Sequence, residues 1–116
     1  MRLKLLIIIP LSISLLSMMS CGTKIENAKT ETVKVYGNCG MCEKIIETSA
    51  NKKNKVEADW DQETKMLTVT YDQKATNLDE ILKRIADSGY DSDKFRSTDE
   101  KYNQLHGCCQ YERPKK

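Results

Sequence analysis

The sequence predicts an α+β domain in which a four-stranded antiparallel sheet carries two helices on one face, in the order strand, helix, strand, strand, helix, strand. Three observations lead there. Apolar residues alternate with polar ones in several short segments, as half-buried strands require. Two other segments place apolar residues three and four apart, the spacing of an amphipathic helix. Clusters of Asn, Asp, Gly and Thr separate the segments, and these residue types favour turns. About 65 residues fall inside the pattern, which is enough for one thin core.

The first strand is read from Thr32, Val33 and Val35. Gly37-Asn38 breaks it, and Met41, Ile45, Ile46, Ser49 and Ala50 continue at helical spacing up to the polar run Asn51-Lys52-Lys53-Asn54. Val56, Ala58 and Trp60 form a second strand, Asp61 to Thr64 a turn, and Leu67, Val69 and Tyr71 a third strand. So short a connection predicts a hairpin. Asn77 caps the second helix, with Glu80 three residues on in the position of a capping box. Leu78, Ile81, Leu82, Ile85 and Ala86 give that helix one apolar face, and Gly89 ends it. A short last strand is expected around Lys94 to Arg96. Trp60 and Tyr71 read as core or sheet-face residues, and the Lys52, Lys53, Lys55 group as a solvated turn.

The chain has 116 residues, and the ends lie outside this pattern. Residues 1–20 read as a lipoprotein-type signal peptide: Arg2 and Lys4 are basic, Leu5 to Leu16 is largely apolar, and small residues precede Cys21. The apolar run is too short for a stable membrane span. Cys21 is the expected lipidation site, and several acyl chains would anchor the chain in a bilayer. Residues 21–30 then form a lipidated tether, 31–97 the folded domain and 98–116 a cysteine-containing extension. This arrangement predicts a bacterial cell-envelope protein, at the outer membrane and facing the periplasm.

Residues 1–20 hold two of the 19 basic residues and none of the 17 acidic ones, so the remainder is balanced. A balanced surface argues against a nucleic-acid partner, which selects a basic face. No nucleophile–base pair or carboxylate dyad has a recognisable spacing, so no enzymatic activity is expected.

Cys39 and Cys42 carry the chemistry. They stand two residues apart where a strand gives way to a helix. A helix N-terminus favours the thiolate, the form needed both for binding soft metals and for disulfide exchange. Two thiolates suit Cu(I) or Hg(II), whereas Zn(II) normally takes four ligands. The alternative is a thiol-disulfide exchange protein that uses the same pair. Against it, there is no proline between Pro10 and Pro114 to stand opposite a redox pair, and the hairpin arrives early. A purely structural Cys39–Cys42 disulfide would close too short a loop to stabilise much.

Residues 32–96 resemble the heavy-metal-associated domain, a family shared by copper chaperones, modules of metal-transporting ATPases and the periplasmic mercury-binding protein. The resemblance rests on Val33-Lys34-Val35, on Cys39-Gly40-Met41-Cys42 with Ile46-Glu47, on Val56 to Asp59, on Met66 to Tyr71, and on Ile81 to Asp91. It implies a ferredoxin-like βαββαβ fold. It also implies that Cys39 and Cys42 bind a soft ion, Cu(I) foremost with Hg(II) or Zn(II) as alternatives, and pass it to a metal-transport or efflux protein. Two features depart from the family. The approach to the first cysteine, Gly37-Asn38, is one residue short and lacks the usual methionine; Met41 is expected to tuck into the core instead. The extension adds His106, Cys108 and Cys109, which are candidate additional ligands and alternatively candidates for disulfides or packing.

Overall fold

The computed structural model describes residues 25–116. The expected signal peptide, the expected lipidation site Cys21 and the first part of the expected tether, up to residue 24, therefore lie outside the described residues. Among those described, no helix is long and apolar enough to cross a membrane.

The elements follow the predicted order up to the second helix: β1 (Ala28–Lys34), α1 (Gly40–Ala50), β2 (Val56–Trp60), β3 (Met66–Asp72) and α2 (Leu78–Asp87). The three strands form one antiparallel sheet in the order β1-β3-β2. Its register pairs Val33 with Leu67 and Trp60 with Leu67 from the other side, so the inward residues of all three strands line up on one face. Val33, Ala58, Trp60, Leu67, Val69 and Tyr71 are buried there. Cys42, Ile46 and Ala50 of α1 and Ile81, Leu82 and Ile85 of α2 close over them. Both helices thus cover the same face.

Local chemistry fixes each boundary. The Asn77 side chain accepts from the Glu80 N–H at 2.9 Å, as a helix cap should. Gly89 ends α2 at φ 106°, where a side chain would be strained. The β2–β3 turn is tied by Asp61 Oδ1, which accepts from the Glu63 N–H at 2.8 Å. Arg84 of α2 donates to the carbonyls of Ser49 at 3.2 Å and Ala50 at 2.7 Å. It thereby satisfies the open C-terminal end of α1 and clamps the helices together.

β1 begins at Ala28, ahead of the alternating segment. Its first residues pair with the far end of β3, Ala28 opposite Asp72. Thr30 and Thr70 hydroxyls meet at 2.9 Å and Tyr71 donates to Glu31 at 2.6 Å. Polar cross-strand pairs therefore extend the strand where no apolar pattern marks it.

The fourth strand expected at Lys94 to Arg96 does not form. Its place at the β1 edge is held by a single bridge, Val35 to Ser92, flanked by bonds from Tyr36 N–H to Asp91 O at 2.9 Å and Asp93 N–H to Lys34 O at 3.2 Å. Ser92 then turns the chain. Its hydroxyl accepts from the N–H groups of Lys94 and Phe95, and its N–H bonds Phe95 O at 2.8 Å. These local bonds compete with a ladder and win.

The extension is folded. A short helix, α3 (Asp99–Asn103), is capped by Thr98, and a 3-10 turn spans Gly107–Cys109. Tyr111 is buried, stacked on Tyr90 at 5.6 Å and met edge-on by Tyr102 at 5.1 Å. Trp60 and Tyr71 are core residues as expected.

Candidate metal centre

Cys39 is the N-cap residue of α1, with extended backbone, and Cys42 lies in the first turn. The geometry follows from the loop before it. Gly37 passes against the Trp60 ring so closely that a Cβ there would lie 3.0 Å from ring carbons and 3.2 Å from the Cys42 Cβ. Trp60 is fixed in turn by its indole N–H, which donates to Val35 O at 2.9 Å. The shortened Gly37-Asn38 approach therefore rests on a tryptophan floor.

This floor explains where Met41 goes. It was expected in the core, but it is 46% exposed. The space beneath the cysteines is already filled by Trp60 and Tyr90, both buried, so the residue between the cysteines faces outward.

The Cys39 and Cys42 sulfurs are 3.8 Å apart. Cys39 is half-buried and Cys42 buried. Backbone N–H groups of Cys42 and then Met41, at the open end of α1, lower the Cys39 thiol from 9.0 to about 7. Near neutral pH this sulfur is thus far more often the thiolate that a soft ion needs than an ordinary thiol would be.

The tail reaches the same place. Sulfurs of Cys39, Cys108 and Cys109 all lie within 4.8 Å of one another. The Cys108 and Cys109 sulfurs are 3.9 Å apart. Cys39 Sγ approaches Cys108 O at 3.7 Å, and Asn38 Nδ2 donates to that same carbonyl at 3.4 Å. Cys42 Sγ lies 4.0 Å from Cys109 O. Cys109 is buried and Cys108 exposed; burial, and then the neighbouring Cys42 thiol, push the Cys109 thiol up to about 12. His106 is exposed and outside this cluster.

One residue that the sequence did not single out belongs here. Tyr90 is fully buried, and its hydroxyl has no hydrogen-bond partner. Burial, then the Cys42 and Cys109 thiols beside it, hold that phenol firmly protonated. A buried hydroxyl without an acceptor is costly. Ionised sulfurs would supply the acceptor. The donor set as a whole, thiols with an idle hydroxyl beside them, fits a soft ion; among the described residues the carboxylates of Glu43, Glu47 and Asp59 form a group separate from the thiols.

Neither a protein-family model nor a curated protein matches the sequence. Solved structures do. A structure described as "CopZ metallochaperone" is 30% identical, with a TM-score of 0.52, over 55% of this chain and 98% of its own. The solution structure of the "putative copper-ion-binding protein from Bacillus anthracis str. Ames" is 31% identical, also with a TM-score of 0.52, over 56% of this chain and 94% of its own. Both neighbours are matched almost end to end, whereas little more than half of this chain takes part.

Proposed function

The chain belongs to the heavy-metal-associated domain family, and from that premise we propose that it captures a soft metal ion, Cu(I) foremost, between Cys39 and Cys42. It buffers the ion or hands it to a metal-transport or efflux protein. Hg(II) and Zn(II) are the competing cargoes. The carrying observation is the pair of sulfurs 3.8 Å apart at the N-terminus of α1, beside the unpartnered Tyr90 hydroxyl.

Residue by residue, Cys39 offers a thiolate at the entrance, and the ion replaces the proton of Cys42 as the second sulfur engages. Tyr90 is placed to donate to the ionised sulfur of Cys42, which offsets charge on the buried side of the site. Trp60 and Gly37 hold the loop so that both sulfurs converge. The work is binding and release, with no covalent change to a substrate. Copper as cargo is supported by the descriptions of the two structural neighbours.

The location we propose is the bacterial envelope, with lipid on Cys21 anchoring the domain at the outer membrane, facing the periplasm. Mass spectrometry of the protein made in a bacterial host should find diacylglyceryl-modified Cys21 as the amino terminus; an unmodified cysteine there would remove the anchor from the account.

Metal capture is tested by anaerobic titration of the reduced protein with Cu(I) against a chromogenic chelator. Cys39→Ser/Cys42→Ser should abolish tight binding. Binding at wild-type affinity in that variant would sink the assignment.

A further inference from the structure

The extension holds chemistry that the paired cysteines of α1 do not account for. Three thiols, Cys39 at the start of α1 and Cys108 and Cys109 from a segment 69 residues further along the chain, lie within 4.8 Å of one another, and Cys42 adjoins them through Cys39 at 3.8 Å. Building on the metal-capture reading above, we propose that the extension is the second half of the clamp: Cys108 and Cys109 ligate the same ion as Cys39 and Cys42, in a single thiolate-rich centre.

Three observations carry this. The first is spacing. Four sulfurs about 2.3 Å from one tetrahedral ion stand about 3.8 Å from each other, the edge of the tetrahedron. The pairs found here are 3.8 Å and 3.9 Å, and Cys39 is within 4.8 Å of both tail sulfurs. Cys39, Cys108 and Cys109 therefore stand close to binding distance without any ion to gather them, and Cys42 has a shorter-range partner in Cys39 and must close in on the tail sulfurs as the ion binds.

The second is that the tail is fixed by contacts built for that position. Arg113 donates to both oxygens of the fully buried Asp91, at 2.8 and 3.0 Å, and further to Ser97 O and Asp99 at 2.6 Å. The Tyr111 hydroxyl donates to Gly89 O and accepts from the Asp91 N–H, both at 2.8 Å. Leu105 lies over Gly89, within 2.9 Å of where a Cβ would be. Gly89, Asp91 and Ser97 belong to the segment following α2 that also carries Tyr90, and Asp99 to α3 of the extension itself. The anchor thus sits directly behind the thiols it delivers.

The third is the Tyr90 hydroxyl, which is buried without a partner between one sulfur from each half, Cys42 and Cys109. A donor placed there serves both halves when both are thiolates. A tail that merely packed would leave it facing a neutral thiol.

Two functional consequences follow. Each tail thiol that joins sheds its proton to solvent and adds a metal–sulfur bond, so the ion is held more tightly than by α1 alone. A partner that takes the ion by ligand exchange must first displace the tail, so release is gated.

The test uses the full chain, reduced and anaerobic, with Cys21→Ser in every protein so that no fifth thiol is counted. Cd(II) is titrated and the thiolate-to-cadmium absorbance read, and Cu(I) affinity is measured by chelator competition. Cys108→Ser/Cys109→Ser should lower the cadmium band by about half and weaken Cu(I) binding by at least about tenfold. Cys108→Ser alone, at an exposed position, should take away about a quarter of the band, and it decides the matter if the double variant fails to fold. Wild-type band and affinity in Cys108→Ser would overturn the proposal while leaving capture by Cys39 and Cys42 intact. Wild-type affinity in Cys39→Ser/Cys42→Ser would instead overturn the reading on which it rests.

Discussion

The two halves of the thiol cluster are built by different means. Cys39 and Cys42 are placed by secondary structure: a helix start sets their spacing and its N–H groups acidify Cys39. Cys108 and Cys109 sit on a three-residue 3-10 turn with little stability of its own, and an ion pair and three tyrosines position it. The α1 half is therefore local and robust. The tail half depends on long-range contacts, polar and aromatic, made by Arg113, Tyr111 and Tyr102.

The sharpest way to break that difference is at the anchor. Arg113→Ala leaves the Asp91 carboxylate buried without its partner, and removing one member of a buried pair costs about 3–5 kcal/mol. Chemical denaturation should report a loss of that size, and Cu(I) affinity should fall toward that of Cys108→Ser/Cys109→Ser. A change below about 1 kcal/mol, as for a surface ion pair, would mean that the tail is not held as described.

Gly37→Ala strikes the other half. The new methyl would press on the Trp60 ring, which is itself hydrogen-bonded and cannot retreat freely. Overpacking of this kind costs about 1–3 kcal/mol. The Cys39–Cys42 geometry should suffer, with a weaker Cu(I) complex, while the tail contacts stay intact.

The smallest effect is the most discriminating. Alkylation by iodoacetamide proceeds through the thiolate, so the rate at each cysteine follows its ionisation. The Cys39 pKa is lowered, so its reactivity should persist down to half-maximum at about pH 7 and be lost below, whereas an ordinary thiol fades near pH 8.5. Cys109, buried and raised to about 12, should stay unmodified throughout. Equal rates at the two, followed by peptide mass spectrometry, would erase the contrast between the halves.

How far each half could be read from the sequence follows the same division. α1, the β2–β3 hairpin and α2 announce themselves through periodicity and through local signals such as Asn77, Glu80 and Gly89. The cysteine pair is legible because its spacing and its place at a helix start are both local. The lost fourth strand is also a local matter, but of competing bonds: Ser92 offers its hydroxyl to two N–H groups, and no apolar pattern opposes it. Met41 was misplaced because its alternative depends on Trp60 and Tyr90 filling the floor from distant strands and loops. The tail is the extreme case. Its composition signals contact-forming residues, but the pairing of Arg113 with Asp91 and of Tyr111 with Gly89 and Tyr90 leaves no periodic trace.

Sequence separation also sets an order of events in folding. Cys39 and Cys42 come together as soon as the first turn of α1 winds, a nearest-neighbour step in chain terms. Cys39 and Cys108 meet only after a loop of 69 residues has closed, and closing long loops is slow and entropically costly. The centre is thus completed last, around a pair of thiols that is already formed. An ion captured early by that pair would be present when the tail arrives, and each sulfur it then recruits would shift the closing equilibrium toward the docked state. Cargo and chain would finish the fold together.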